Sequence, residues 1–442
     1  MQLKRFKDIV AVQSDSKNGV AAGIVAFHAA SMEVAEVSHE AFDNMTSIDL
    51  RTGSVPEITQ AKNDAFDQLD IWHNEINPNV KSGKLDNKIQ SLTININQIC
   101  NLKCQYCAAG GDGSYGTPTN AISVETTKVQ IDYFLKKLDR GQYFAVSFVG
   151  GEPLLHTRVL KALYDYIIDK TKLAGLVPSI KVVTNGTLLS EETLAILREM
   201  ALELTISFDG IKSKNDSARP SKDGSSTTDK IVAGLEKLNL DRGQIRTLSF
   251  SSITTSDNTE LFDNYIYLKS FNPDSMDFVF ANDERSQTAQ QKHMVGWEQI
   301  LDHAWAKGGE PEIRKLRPVD QYFRQLDSQQ QTENFCGAGK NYLMVDAKNR
   351  LYTCVWDANY TQELVGAQTT LSDEKIAKLS KPLIELNNCQ SCWARHLCGG
   401  GCMHINRSHT GNKHEKSILF CERTRSLISL VFLYYKLSRA SL

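Results

Sequence analysis

Ser91-Leu92-Thr93-Ile94-Asn95-Ile96, followed by Cys100-Asn101-Leu102-Lys103-Cys104-Gln105-Tyr106-Cys107, decides the reading of this 442-residue chain. Residues 91–96 are a short run rich in β-branched and apolar side chains, which predicts a strand. The loop behind it carries three cysteines in the order Cys-x3-Cys-x2-Cys. Three thiolates can hold three irons of a 4Fe–4S cluster and leave the fourth iron open to a small molecule. Structural zinc usually takes four closed ligands, commonly in paired Cys-x2-Cys units. The present spacing, with an aromatic Tyr106 just before the last cysteine, fits that poorly.

Outward from this stretch, strand and helix patterns alternate from Gln90 to about Asn282. Further strand candidates are 145–149, 180–183, 204–208, 248–253 and 276–280, each bounded by polar or glycine punctuation. Amphipathic helical patterns lie between them, at 124–138, 158–170, 191–199 and 228–238. Such alternation implies an α/β fold of parallel βα units. Six units make a partial (β/α)6 TIM-type barrel, with its chemistry at the C-terminal strand ends. Residues 1–85 read as a small α+β N-terminal unit. It opens with a hairpin turned at Ala29–Ser31, continues into a helix capped by Ser38, and ends in a linker over 77–86. Residues 86–289 hold the barrel and 290–335 a polar helical bridge. A loop-rich cysteine domain follows at 336–421, and a C-terminal helix at 422–442.

Composition narrows the class. Net charge is -2, so there is no electrostatic case for nucleic acid or an anionic membrane. The start, MQLKRFKDIV, has positive charge but no apolar run behind it and is not read as a signal peptide. The apolar stretch Leu427–Tyr435 is about half of the ~20 residues a membrane span needs and predicts a packed helix. A cytoplasmic enzyme is expected. Of ten cysteines, three lie at 100–107 and seven at 336–421. Clusters at two- to five-residue spacings, without an export signal, point to metal rather than to a disulfide scaffold.

Two further motifs stand at the expected strand ends: Gly150-Gly151-Glu152-Pro153 and Ser207-Phe208-Asp209-Gly210. Together with the triad they closely resemble the radical SAM superfamily. The resemblance implies that Cys100, Cys104 and Cys107 hold a 4Fe–4S cluster with S-adenosylmethionine (SAM) on the open iron. Tyr106 would then lie near the adenine, and Gly150, Gly151, Glu152 and Pro153 would receive the SAM amino group. Asn185 ends the third strand as in relatives. Ser207 and Asp209 look like the ribose-contacting segment, and Arg219 matches an arginine that pairs with the SAM carboxylate. Read without the resemblance, the first motif is a strand-to-helix turn, Asp209-Gly210 a turn and Arg219 a surface charge.

The later cysteines fall as Cys336, Cys354, Cys389-x2-Cys392-x5-Cys398-x3-Cys402 and Cys421. This is similar to the SPASM extension of radical SAM enzymes that modify peptides and proteins. It implies two auxiliary 4Fe–4S clusters, three clusters in all. Cys389, Cys392, Cys398 and Cys421 would hold the outer one, and Cys336, Cys354 and Cys402 the inner one, a ligand short. An open iron, a water or a nearby non-cysteine ligand would complete it. Asn349 stands where glycine is usual, and asparagine also tolerates a left-handed turn.

The resemblance implies an oxidoreductase in which a 5′-deoxyadenosyl radical removes hydrogen from an unactivated carbon and the auxiliary clusters accept an electron. The sequence names no catalytic base, and Glu152 is assigned to SAM instead. The expected function is maturation of a ribosomally made precursor peptide, most simply an intramolecular cyclophane or thioether crosslink. The expected partners are that peptide, gripped through its leader by residues 19–75, and an electron donor such as flavodoxin or ferredoxin. A plain N-terminal wrap around the barrel is the other reading of 19–75. Maturation of a sulfatase or quinoprotein side chain is the alternative function. Against it, Val355 stands where sulfatase-maturing relatives carry aspartate. A non-catalytic iron–sulfur electron carrier would not need the motifs at 150–153 and 207–210. His156, Tyr115, His404 and Arg407 read as loop packing.

Overall fold

The computed structural model describes residues 1–14, 23–51, 64–75, 77–85, 88–107, 121–358 and 360–440; Tyr115 lies outside them. An antiparallel sheet opens the chain, with strands β1 (Gln2–Phe6), β2 (Ile9–Ser14), β3 (Gly23–His28), β4 (Glu33–Glu36) and β5 (Thr46–Ser47) in the order β4-β3-β2-β1-β5. The β3–β4 hairpin is the one expected. Helix α1 (His39–Asn44) is capped by the Ser38 hydroxyl, which accepts from Ala41 N–H at 3.1 Å. Helix α2 (Asp64–Asn74) follows. Strands β1 and β2 went unread: Lys4 and Arg5 break the apolar alternation of β1, and the short run Ile9–Val12 of β2 has no period. One face of the sheet (Ile9, Ala11, Ile24, Ala26) packs on Phe42 and Leu69 in a small core of its own. The other face (Val10, Val12, Val25, Phe27) joins the main core.

Six parallel strands follow in sequential order: β6 (Ser91–Asn95), β7 (Tyr143–Val149), β8 (Val177–Thr184), β9 (Glu203–Ser207), β10 (Thr247–Thr254) and β11 (Ser275–Phe280). All six sequence-read strands are present. Helices α3 (Val124–Leu135), α4 (Thr157–Ala174), α5 (Glu191–Arg198), α6 (Lys212–Ala218), α7 (Thr227–Leu240) and α8 (Leu261–Lys269) connect them. The strand pleat sorts the side chains: Phe144, Val146 and Phe148 enter the apolar core, and the alternate residues face the other side of the sheet. Helix α6 carries no apolar period, and aromatics in α8 mask its helical pattern.

The C-terminal part is more regular than its cysteines suggested. Strand β12 (Tyr342–Val345) pairs in parallel with β6, and β13 (Arg350–Tyr352), β14 (Leu364–Ala367) and β15 (Thr370–Leu371) continue the sheet antiparallel. Runs of two to four residues show no period in sequence; burial of Leu343, Met344, Val345 and Leu351 makes them strands. Asn349 does adopt a left-handed φ of 58°. Its amide donates to Thr127 and Gln130 of α3 at 2.8 Å each, which fixes the hairpin against the barrel. Helices α9 (Gln287–Gly308), α10 (Glu310–Ile313) and α11 (Arg317–Asp327) are helical as expected but bury Trp297, Ile300, Leu301, Val319 and Phe323, so this segment is core rather than polar bridge. The closing helix Ile418–Ala440 buries Val431 and Phe432. Among the described residues no helix is long and apolar enough to cross a membrane.

Candidate iron–sulfur and SAM site

Strand β6 delivers the triad loop to the C-terminal end of the sheet, and that loop is sewn to two other strand ends. Gly151 N–H donates to the Asn97 carbonyl at 2.9 Å and Glu152 N–H to the Ile99 carbonyl at 2.8 Å. A Cβ on Gly151 would stand 2.2 Å from the Ile99 carbonyl oxygen. The glycines are therefore required by the close approach of the loop that leads into Cys100. On the far side Lys103 N–H donates to the Pro220 carbonyl and Gln105 N–H to the Ala218 carbonyl, tying the triad to the end of α6.

Glu152 is fully buried. Its carboxylate accepts from Leu154 N–H (2.9 Å), the Thr184 hydroxyl (2.7 Å) and Asn185 N–H (2.7 Å), so it braces the turn against the end of β8. Burial pushes its pKa up to about 7 against these three donors. Pro153 opens the short turn Pro153–His156, and His156 makes no capping bond at the start of α4. The Asn185 amide donates to Cys100 Sγ (3.7 Å) and to Asn101 Oδ1 (2.8 Å). Asn101 in turn donates to the Thr187 hydroxyl at 2.8 Å. Neither Asn101 nor Thr187 was singled out from sequence, where nothing but adjacency to Cys100 and Asn185 marks them.

Tyr106, Asp209 and Arg219 form one buried knot. Arg219 forks onto both Asp209 oxygens at 2.9 and 3.1 Å, and the Tyr106 hydroxyl donates to Asp209. Ile253 N–H adds a fourth bond to that carboxylate at 2.9 Å. The Arg219 guanidinium lies 5.3 Å from the Tyr106 ring centroid and 3.9 Å from Cys104 Sγ. Arg219 is thus a partner of Asp209 and of the triad rather than a surface charge. Ser207 ends β9, half-buried, two residues before Asp209.

The remaining cysteines sort into two cavities. Cys389, Cys392, Cys398 and Cys421 line one of about 70 Å³, together with Gly400, Gly401, Lys416 and Arg425. Cys336, Cys354 and Cys402 line another of about 30 Å³, with Asp357, His404 and Arg407. Burial raises the thiols of Cys398 and Cys421 in the outer set and of Cys336 and Cys354 in the inner one, and pushes Cys389 and Cys402 up to about 11. Cys100 of the triad is likewise pushed up to about 11 by burial. Grouped thiols, with Lys416 and Arg425 beside the outer set, become thiolates when a cationic centre arrives. The donor sets therefore fit iron–sulfur clusters: four thiols, three thiols, and the triad. Asp357 accepts from the Thr353 hydroxyl (2.7 Å) and Arg407 (2.8 Å). His404 stacks on Trp356 with ring centroids 4.6 Å apart. Both His404 and Arg407 therefore belong to the inner cavity wall.

Residues 94–240 match the sequence profile of the Radical SAM superfamily. That segment is a radical SAM domain, and the superfamily it matches implies a 4Fe–4S cluster and SAM. The radical SAM cyclopropyl synthase TigE of Paramaledivibacter caminithermalis is 22% identical over 346 residues, 74% of this chain and 70% of that protein. A serine-type anaerobic sulfatase-maturating enzyme of Klebsiella pneumoniae is 23% identical over 337 residues, 70% of this chain and 81% of that one. An uncharacterized Methanocaldococcus jannaschii protein is matched over 65% of its length. In structure, Streptococcus suis SuiB bound to its precursor peptide SuiA superposes with a TM-score of 0.53 and 13% identity, over 95% of this chain and 99% of SuiB.

Proposed function

We propose that this enzyme matures a ribosomally made precursor peptide by closing an intramolecular crosslink at an unactivated carbon. The observation that carries the reading is the gathering of seven further cysteines into two cavities beside the radical SAM sheet. Cys389, Cys392, Cys398 and Cys421 would hold an outer auxiliary cluster, and Cys336, Cys354 and Cys402 an inner one that is one cysteine short. With a reduced cluster and SAM bound, the triad site would supply radical chemistry for hydrogen abstraction. Gly150, Gly151 and Glu152 would present the turn that receives the SAM amino group, and Ser207 the ribose contact. The Tyr106–Asp209–Arg219 knot holds the triad loop in register with both. Two auxiliary cluster sites would suit a net oxidation of the substrate.

The TigE and SuiB likenesses favour a peptide as substrate. The N-terminal sheet would grip its leader by strand addition at β4, one of its two edge strands. A flavodoxin or ferredoxin would donate the electron, in the cytoplasm. The Klebsiella relative favours a second reading, maturation of a sulfatase side chain; Val355 at the aspartate position speaks against it. Co-expression with a peptide encoded by a short open reading frame found beside the gene tests the proposal. A product lighter by two hydrogens, resistant to sequencing between two residues, is expected. An unchanged peptide, with a serine or cysteine of a sulfatase peptide oxidised instead, overturns it.

A further inference from the structure

The carboxylates beside the triad, in the inner cavity and at the start of β9 already have protein partners. Glu152 is held by Leu154, Thr184 and Asn185, and Asp209 by Arg219, Tyr106 and Ile253. Asp357 is held by Thr353 and Arg407, and Glu203 by Lys181 at 3.1 Å and by Arg317. Asp277 differs. It lies on β11, whose Met276 and Phe278 point into the apolar core, so Ser275, Asp277 and Val279 face the opposite, inner side of the sheet. No described residue hydrogen-bonds its carboxylate, and its nearest cations, Lys181 and Arg317, are both engaged by Glu203.

Register fixes its height. Asp277 stands opposite Ser251 of β10, and Ser251 stands opposite Ser207 of β9. Asp277 therefore shares the rung of the candidate ribose-contacting serine, two strands away, or about 10 Å at the usual strand spacing. One rung higher on β10, Ile253 N–H holds Asp209 and so the Tyr106–Arg219 knot. A carboxylate that no described residue hydrogen-bonds thus sits on the inner face at the level of Ser207. Burial raises its pKa, with Arg317 and Lys181 pulling the other way; such a group takes a proton more readily than an exposed aspartate.

We infer that Asp277 is the catalytic base that takes the proton released when the crosslink closes. The inference rests on the peptide-maturation reading. A substrate carbon that has lost a hydrogen atom joins an X–H partner on the same peptide. The new C–X bond forms, the X–H bond breaks, and one proton and one electron leave. The proton goes to a carboxylate oxygen of Asp277, and the electron to a one-electron acceptor of the iron–sulfur class. Lys181 and Arg317, both engaged by Glu203 at the start-of-strand side, pull against the rise that burial causes in its pKa without contacting the carboxylate directly.

The test compares wild type with Asp277→Asn and Asp277→Glu in the reconstituted full-length enzyme, using the adjoining-frame peptide in deuterated form. Asp277→Asn is expected to move deuterium into 5′-deoxyadenosine within about twofold of wild type, to bind the peptide unchanged, and to form crosslinked product at least about 100-fold more slowly. Asp277→Glu should recover part of the product. Product at the wild-type rate from Asp277→Asn overturns the inference, as does loss of deuterium transfer in step with product, which marks a structural role. A wild-type enzyme that leaves the peptide mass unchanged overturns the peptide reading itself, and this inference with it.

Discussion

Glu152 shows how one residue couples chemistry to stability. Burial raises its carboxyl to about 7 in the fold, from an ordinary 4.5. The folded protein therefore binds more protons than the unfolded chain between those values, and the contribution of Glu152 to stability falls as pH rises through that window. Above it, an ionised buried carboxylate costs on the order of 3 kcal/mol relative to the protonated form. In urea unfolding of the cluster-free protein, wild type should lose ground to Glu152→Gln between about pH 5 and about pH 8; a pH-independent difference would contradict this. Arg219 makes a second residue-scale case. Arg219→Ala leaves Asp209 charged and buried, and should cost about 3–5 kcal/mol, read by thermal melting. At this scale the ligands were legible because cysteine spacing is local. The partners of Arg219 were not, because Asp209 and Tyr106 reach it only through the fold.

Among elements, the six barrel strands were readable because each is a β-branched or apolar run bounded by polar or glycine breaks. Strands β12 to β15 were hidden by their length: two to four residues give no period, and pairing with β6 creates them. The turn between β7 and α4 carries the next prediction. Gly151→Ala would force a Cβ to 2.2 Å from the Ile99 carbonyl, displacing the loop before Cys100. Reconstituted protein should then lose the iron of the triad and keep that of the C-terminal cysteines, as counted by iron analysis and Mössbauer spectroscopy. Full triad occupancy would show that the turn and the cysteine loop are not coupled.

Across the whole molecule the N-terminal sheet is fastened to the far end of the chain. Phe27 stacks on Phe432 of the closing helix at 4.7 Å. Asp8 receives an Arg395 fork at 3.0 and 2.8 Å, and Arg5 donates to the Ser391 carbonyl at 2.8 Å, between Cys389 and Cys392. None of this was visible in sequence, since partners nearly four hundred residues apart share no local pattern. Asp8→Asn should cost about 1.5–3 kcal/mol and speed hydrogen exchange across 389–398; unchanged exchange would uncouple the sheet from the outer cysteines. The most direct measurement is SAM cleavage by the anaerobically reconstituted chain under dithionite. 5′-Deoxyadenosine is predicted from wild type and from a variant lacking Cys398 and Cys421, and none from Cys104→Ala. No 5′-deoxyadenosine from wild type, or undiminished yield from Cys104→Ala, would contradict the triad as the origin of the chemistry.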